Sequence, residues 1–206
     1  TSEIYGDPAH DKIPTSETYK GNVSCVGPRA CYDESKRLAE TLCYVYSQYH
    51  KVPVIIVRPF NNYGPGLKIQ DGRLPADLAK SIILNKNINI YSDGKPTRSF
   101  CYISDAIVGY LKAISYPMYD TFNIGNDTEE ISVKKLAILF KKIGNNLFKT
   151  ETNIIFKKNK DKNYLADNPN RRLPNIKKSK ILLNFSPKID IKTGIKRYLM
   201  FLKNKD

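Results

Sequence analysis

The run Val52-Pro53-Val54-Ile55-Ile56-Val57-Arg58, followed at once by Pro59-Phe60-Asn61-Asn62-Tyr63-Gly64-Pro65-Gly66, constrains the fold more than any other stretch. A strand with one wet face alternates apolar and polar residues. An unbroken apolar run instead suits a strand covered on both faces, as in a parallel sheet between helices. The Pro- and Gly-rich segment then breaks the chain into a loop at the carboxyl end of that strand, where open α/β sheets hold their ligands. The expected fold class is therefore α/β.

The rest of the chain fits strands alternating with helices. Residues 1–5 read as the end of a strand, residues 7–28 as a turn-rich connection, and residues 29–49 as a long helix. After the loop come a helix over 74–84, a short strand over 88–91, a turn over 92–96 and a strand over 99–103. Ser104 and Asp105 are placed to cap a helix running to Ile114, and Ser132 to cap one running to about Ile143. Strands are expected over 121–126, with its turn, and over 154–156. An irregular polar stretch fills 157–174, and a last helix runs over 191–202. With 206 residues, the chain has room for one domain, or one domain and a small lobe.

Composition narrows the function classes. No run of 18 apolar residues exists, so no membrane span is expected. The opening Thr1-Ser2-Glu3-Ile4-Tyr5-Gly6 is not a signal peptide, and without an initiator Met it has the look of a cut. Cys25, Cys31, Cys43 and Cys101 form no CxxC pair, and His10 and His50 complete no metal pattern. Such scattered thiols point to a reducing cytoplasm and to small buried hydrophobes. The net charge of +14 is lopsided: residues 134–206 carry 20 Lys/Arg against 5 Asp/Glu, and residues 1–133 carry 14 against 15. The excess is mostly Lys mixed with Asn and Ile, with no RNA-binding aromatic motif beside it. Attraction of an anionic small substrate is the better expectation than nucleic acid.

Chemistry is most concentrated in the 29–49 helix, where Tyr32 and Lys36 lie four residues apart and so share a face. An ammonium beside a phenol favours the phenolate, and a Tyr tuned this way can move protons near neutral pH. Spacing alone does not single out the pair, because 14 Tyr and 26 Lys generate about two such pairs by chance. The other, Tyr91 and Lys95, spans a turn, where the shared-face argument fails. The plainer alternative for 29–49 is an amphipathic helix with Leu38, Ala39 and Leu42 inside and an exposed Lys.

Context decides between them. Thr1-Ser2-Glu3-Ile4-Tyr5-Gly6, then Tyr32 with Lys36, then Arg58 to Pro65, then Thr97-Arg98-Ser99-Phe100-Cys101-Tyr102-Ile103-Ser104-Asp105 occur in that order. Together they resemble the extended short-chain dehydrogenase/reductase family, the NAD-dependent sugar-nucleotide epimerases, dehydratases and decarboxylases. The runs Pro28 to Glu34 and Asp93 to Ile103 are particularly similar to its decarboxylating branch. The resemblance implies the C-terminal part of a Rossmann-like fold with a small substrate-binding lobe. Residues 1–66 would be the remainder of the catalytic domain, and 67–206 mainly the sugar-nucleotide lobe, with some segments returning to the Rossmann sheet. No GxGxxG turn occurs, so the half that grips NAD would lie outside this chain.

Carried over residue by residue, the resemblance implies these roles. Tyr32 takes the proton of a sugar 4-hydroxyl, with Lys36 lowering its pKa and touching the nicotinamide ribose. Thr1 or Ser2 hydrogen-bonds the same oxygen, and Glu3 handles a proton or fixes the sugar. Pro59 lies by the nicotinamide. Asn61 contacts a diphosphate, Arg73 and Tyr91 line the nucleotide pocket, and Arg98 takes the sugar carboxylate or the diphosphate. Arg171 resembles the late Arg on the nucleotide phosphate, although Asn175 stands where many members have Asp. A polar strand end for Thr1–Glu3 and a surface-turn Arg98 are the plainer alternatives. Dehydratases usually carry Asp then Glu after the Thr, and this chain has Ser2 then Glu3. Glu3 with Arg98 favours decarboxylation of UDP-glucuronate to UDP-xylose. A 4-epimerase, a dehydratase, or a remnant that binds a sugar nucleotide or dimerises without catalysis stay open. A homodimer is expected, because the family commonly pairs through a helical bundle.

Overall fold

The computed structural model describes residues 1–157 and 168–204. A 3-10 turn over Ser2–Tyr5 and a bridged connection lead into α1, Ala30–His50. The left-handed Lys51 ends α1, and Pro53 keeps the chain out of helix. Then follow β1 (Ile55–Pro59), β2 (Asn62–Tyr63), α2 (Leu74–Ile83), β3 (Ile88–Ile90), β4 (Thr97–Ser99) and β5 (Cys101–Tyr102). Next are α3 (Ile103–Ile114), β6 (Asp120–Ile124), β7 (Glu130–Ser132), α4 (Val133–Phe148) and β8 (Ile154–Phe156). Last come β9 (Arg171–Arg172), α5 (Lys177–Leu183) and α6 (Ile191–Lys203).

The expected α/β class is observed. β1 pairs in parallel with β6, β2 with β5, and β3 with β8. β4 lies between antiparallel β7 and parallel β9. Around β3, helices α2, α4 and α6 bury Leu78, Ile82, Phe140, Ile195 and Leu199 in one core. Gly194 of α6 lies so close to Tyr63 that a Cβ there would sit 2.0 Å from the phenol oxygen, so the side-chain-free residue sets that approach. A second core, of Ala106, Phe122, Ile124, Ile176 and Phe185, joins α3 and α5 to β6. Ser132 caps α4 as expected, its Oγ accepting from the Lys135 N–H at 3.2 Å.

Several expectations are corrected. Residues 2–5 form a 3-10 turn rather than a strand end, because the Thr1 hydroxyl accepts from the Glu3 N–H and the Gly6 N–H donates to the Glu3 carbonyl. Val52–Val54 lie outside β1, displaced by the α1 stop signal. The expected 99–103 strand splits at Phe100 into β4 and β5, which pair in different sheets. Asp105 does not cap α3. Its carboxylate accepts instead from the N–H groups of Lys188 and Ile189 at 2.9 and 2.8 Å, fastening the approach to α6. Within 157–174, residues 171–172 form β9, and residues 158–167 lie outside the described residues. Strand β7 and helix α5 add to the expected elements. Of the four thiols only Cys101 is fully buried; Cys25, in the connection before α1, and Cys31, on the outward side of α1, are exposed.

Helix α1 attaches to the body by charge rather than by its leucines. Leu38 is 59% exposed, and Leu42, Tyr46 and Tyr49 continue that outward stripe. On its inner side Arg37 donates to the carbonyls of Ile4 and Lys20 at 3.0 and 2.7 Å. Glu40 takes a fork from Arg58, Nε to Oε1 at 3.0 Å and Nη2 to Oε2 at 2.5 Å. Arg58 Nη1 also donates to the Tyr5 hydroxyl at 2.8 Å and to the Glu17 carbonyl at 3.0 Å. Tyr5 passes the chain on to Asn123 Oδ1 at 2.8 Å. Burial opposes the charge on Arg58, but Glu40 and Tyr5 outweigh it and raise its pKa. Replacing Arg58 with Ala should destabilise the protein by about 3–5 kcal/mol, since Glu40 and Tyr5 lose their partner in a largely buried site. Urea denaturation measures this, and a loss below about 1 kcal/mol would remove the network from that role.

Candidate active site

The 3-10 turn sets the first group of side chains. Ser2, Ile4 and Tyr5 enter the interior, and Glu3 is left half-buried between the head of α1 and β9. Gly6 closes the turn with φ 59°, and a Cβ there would fall 1.7 Å from the Asn22 carbonyl oxygen, so the close bridge to Asn22 requires glycine.

Glu3 is the centre of an arginine cluster. Arg29 Nη2 donates to Glu3 Oε2, and Arg172 Nη2 donates to the same oxygen at 3.0 Å. Arg172 Nη1 also donates to the Ser2 carbonyl at 2.6 Å, while its buried Nε has no hydrogen-bond partner among the described residues. Burial pushes the Arg172 pKa down; Glu3 opposes this, and Arg29 adds to it. Arg98 completes the cluster. Its Nη1 donates to the Thr97 carbonyl at 2.8 Å and its Nη2 to the Pro169 carbonyl at 2.5 Å. Burial, aided by the like charge of Arg172, lowers its pKa to about 10. Arg29 and Arg172 are bonded to the Glu3 carboxylate, whereas Arg98 meets neutral carbonyls and is the guanidinium of the three best placed to take an anion.

The pleat explains which arginine points where. In the β4–β9 pair Arg98 lies opposite Arg172, and Thr97 opposite Arg171. Side chains alternate along a strand, so Arg98 and Arg172 share the face toward Glu3, and Arg171 shares the other with Thr97. There Arg171 forks onto Glu130, Nε to Oε1 at 2.8 Å and Nη2 to Oε2 at 2.7 Å. With Asp93, Lys95, Pro96, Thr97 and Asn170 this pair lines an open pocket of about 530 Å³.

Tyr32 and Lys36 lie one turn apart on α1, with Lys36 Nζ 5.5 Å from the Tyr32 ring centroid and Tyr32 48% exposed. The shared face expected of the spacing is therefore formed. Helix α1 packs on the Ser2–Tyr5 turn, which brings this pair to the Thr1–Glu3 segment. Arg73 is held by Asp71, which raises its pKa, and Tyr32 is near enough to add to the effect. Pro59 ends β1 beside Ile124 of β6. Asn61 adopts φ 43° and gives its amide N–H to the Ser99 carbonyl at 2.9 Å, linking the turn between β1 and β2 to β4. Tyr91 follows β3, in a sheet separate from that of Arg98. The structure thus gathers Glu3, Arg98, Arg29 and Arg172, sets Tyr32, Lys36 and Thr1 alongside, and leaves Arg171 and Tyr91 apart from them. Sequence reasoning missed Arg29 and Arg172. Period-two alternation from Arg98 would have found Arg172 only with the β4–β9 register known.

Residues 1–125 match the family described as the NAD dependent epimerase/dehydratase family. The chain is 39% identical over 205 residues to UDP-glucuronic acid decarboxylase 1 of Arabidopsis thaliana, covering 100% of this chain and 44% of that protein. It is 34% identical over 207 residues to UDP-glucuronic acid decarboxylase 1 of Xenopus tropicalis, covering 98% and 45%. The chain thus spans less than half the length of these relatives. Among solved structures it is similar to UDP-glucuronic acid 4-epimerase from Bacillus cereus in complex with UDP-glucuronic acid and NAD. There the TM-score is 0.81 at 25% identity, over 100% of this chain and 60% of that one. UDP-glucose 4-epimerase of Thermotoga maritima has the same fold, with a TM-score of 0.83 at 20% identity over 98% and 60% of the two chains.

Proposed function

The chain belongs to the NAD dependent epimerase/dehydratase family, and from that premise we propose that the complete protein is an NAD-dependent lyase that converts UDP-glucuronate to UDP-xylose. The observation that carries this reading is the arginine cluster of Arg29, Arg98 and Arg172 around Glu3, beside the Tyr32–Lys36 pair. A substrate with both a diphosphate and a carboxylate suits such a concentration of cations. The likeness to decarboxylases along the whole chain supports the same choice. Residues 1–66 are proposed as the remainder of the catalytic domain and 67–206 as mainly the substrate lobe, with β6 returning to pair with β1.

The residues present fit the nicotinamide end of NAD: Tyr32 and Lys36 are adjacent and open on α1, and Pro59 closes β1. Those three would hold it. Bound NAD would supply a reversible hydride acceptor for C4: with C4 oxidised the hexuronate is a β-keto acid that can shed carbon dioxide, and once C5 takes up a proton the same hydride would return to C4, so the net change is redox-neutral. Tyr32 accepts the proton of the 4-hydroxyl, and the Lys36 ammonium stabilises the phenolate. Thr1 or Ser2 hydrogen-bonds the same oxygen, because a hydroxyl can donate to a ketone and accept from an alcohol. Glu3 orients the sugar. Arg98 takes the carboxylate, an anion that outcompetes the neutral carbonyls now facing it. Asn61, Arg73, Tyr91 and Arg171 are assigned to the nucleotide and its phosphates. The outward stripe of Leu38, Leu42, Tyr46 and Tyr49 is proposed to pair two copies through α1.

Incubating the complete protein with NAD and UDP-glucuronate should release carbon dioxide and UDP-xylose; UDP-galacturonate in their place would identify a 4-epimerase. Tyr32→Phe should lower turnover by at least about 100-fold with UDP affinity nearly unchanged, and full activity would refute the proton-acceptor role. Arg98→His should reduce carbon dioxide release and raise KM for UDP-glucuronate, and unchanged kinetics would take Arg98 out of the site. Leu42→Lys should halve the sedimenting mass at micromolar concentration. A dimer that survives this change places the interface elsewhere.

A further inference from the structure

We propose that the outer face of α4 is a docking surface for an anionic lipid layer. With its C-cap, α4 carries Lys134, Lys135, Lys141, Lys142 and Lys149, and it contains no Asp or Glu. At about 100° per residue these lysines fall within roughly 120° of helical arc, in a row about 22 Å long. Leu136, Ala137, Phe140 and Gly144 occupy the opposite side, toward the core. Gly144 lies so close to α2 that a Cβ there would fall 2.3 Å from Ile82. A helix seated this tightly has one rotation about its axis, so the lysines stay turned outward.

Net charge alone does not make a docking surface, because a lysine matched by a carboxylate is already neutralised. That is the case on α5, where Lys178 pairs with Asp120 and Lys180 with Asp127. On α4 no lysine has an ion pair among the described residues. Lys134 lies over the Phe156 ring, 5.9 Å from its centroid, and Lys141 donates to Asn153 Oδ1 at 3.2 Å. Lys135, Lys142 and Lys149 are exposed. Helix α6, packed against α4, adds Lys192, Lys196 and Lys203 within about 40° of its own arc.

The kind of anion follows from what accompanies the lysines. Of the 20 cations in residues 134–206, 17 are Lys, and the α4 arc holds no Arg. Lysine is a point charge without the fork that reads a single phosphate or carboxylate, so a row of lysines suits a diffuse layer of headgroups. The arc holds no aromatic side chain on which nucleic-acid bases could stack. At its centre is Ile138, 47% exposed, whose neighbours three and four residues away on both sides are Lys134, Lys135, Lys141 and Lys142. Ammonium groups around an exposed aliphatic side chain are what an interfacial helix presents: the cations meet the headgroups and the isoleucine enters the acyl boundary. The contact is peripheral, since no helix among the described residues is long and apolar enough to cross a membrane.

The test is co-sedimentation of the complete protein with lipid vesicles. It is independent of the sugar reaction, because none of these lysines belongs to the Glu3 cluster. At about 0.1 M salt the protein should pellet with phosphatidylcholine vesicles containing about one-third phosphatidylserine and not with phosphatidylcholine alone, and about 0.5 M salt should release it. Lys135→Gln with Lys142→Gln should weaken binding about 30-fold, and the same pair changed to Glu should weaken it further. Thermal melts should be unchanged, because both positions are exposed. Ile138→Ser should weaken binding by about threefold or more at either salt concentration. No pelleting with the anionic vesicles at the lower salt, or pelleting that survives the Glu pair, overturns the proposal. So does binding of a single-stranded RNA that the Glu pair abolishes and that anionic vesicles fail to displace, which would give the face to nucleic acid.

Discussion

One buried cation ties the structure together. Arg58 sits in β1 with its guanidinium under α1, and each of its hydrogen-bond partners belongs to a different segment. Glu40 comes from α1, Tyr5 from the 3-10 turn, and the Glu17 carbonyl from the long connection. Through Tyr5 the chain reaches Asn123 of β6, whose amide donates to the carbonyls of Thr15 and Asn175. A buried charge is tolerable only when its donors are met, and a network in which each member is satisfied fixes one arrangement. That requirement, rather than apolar burial, holds α1 against the sheet. It also explains how a helix can leave Leu38 and Leu42 facing outward and still be firmly seated.

The site inherits its order from this network. The turn that Tyr5 anchors is the turn that presents Ser2 and Glu3, and the helix that Glu40 anchors presents Arg29, Tyr32 and Lys36. Arg29 and Arg172 then close on Glu3 from opposite sides, and Arg98 stands one strand from Arg172. Two guanidinium groups clamp the Glu3 carboxylate, and the third, Arg98, meets only the neutral carbonyls of Thr97, Pro169 and Asn170. Burial first, and the like charge of a neighbouring arginine second, lower the pKa of Arg98 and Arg172. A bound anion would offset that like charge, which is how the cluster supports the proposed UDP-glucuronate reading.

Helices with local signals were legible in the sequence. Ser132 before α4, and the apolar spacing of α2, α3 and α6, encode those helices within a few residues of their ends. Tyr32 and Lys36 were legible for the same reason, since four residues on a helix is a local distance. What escaped was non-local. Asp105 looked like a cap because its position beside α3 is local, but two N–H groups near residue 188 compete for it and win. The 99–103 strand looked continuous because β propensity does not say which neighbour each half will pair with.

The sequence by itself determined the α/β class, the shared face of Tyr32 and Lys36, and the family, because propensity, helical period and ordered motifs are properties of neighbouring residues. Only the tertiary structure decided that Arg172 rather than Arg171 meets Glu3, that Arg29 completes the clamp, and that α1 turns its leucines outward. Those outcomes depend on strand register and on how a buried charge finds its partners. A register shift of one residue turns every side chain to the other face, and no local pattern in β9 records which register β4 imposes.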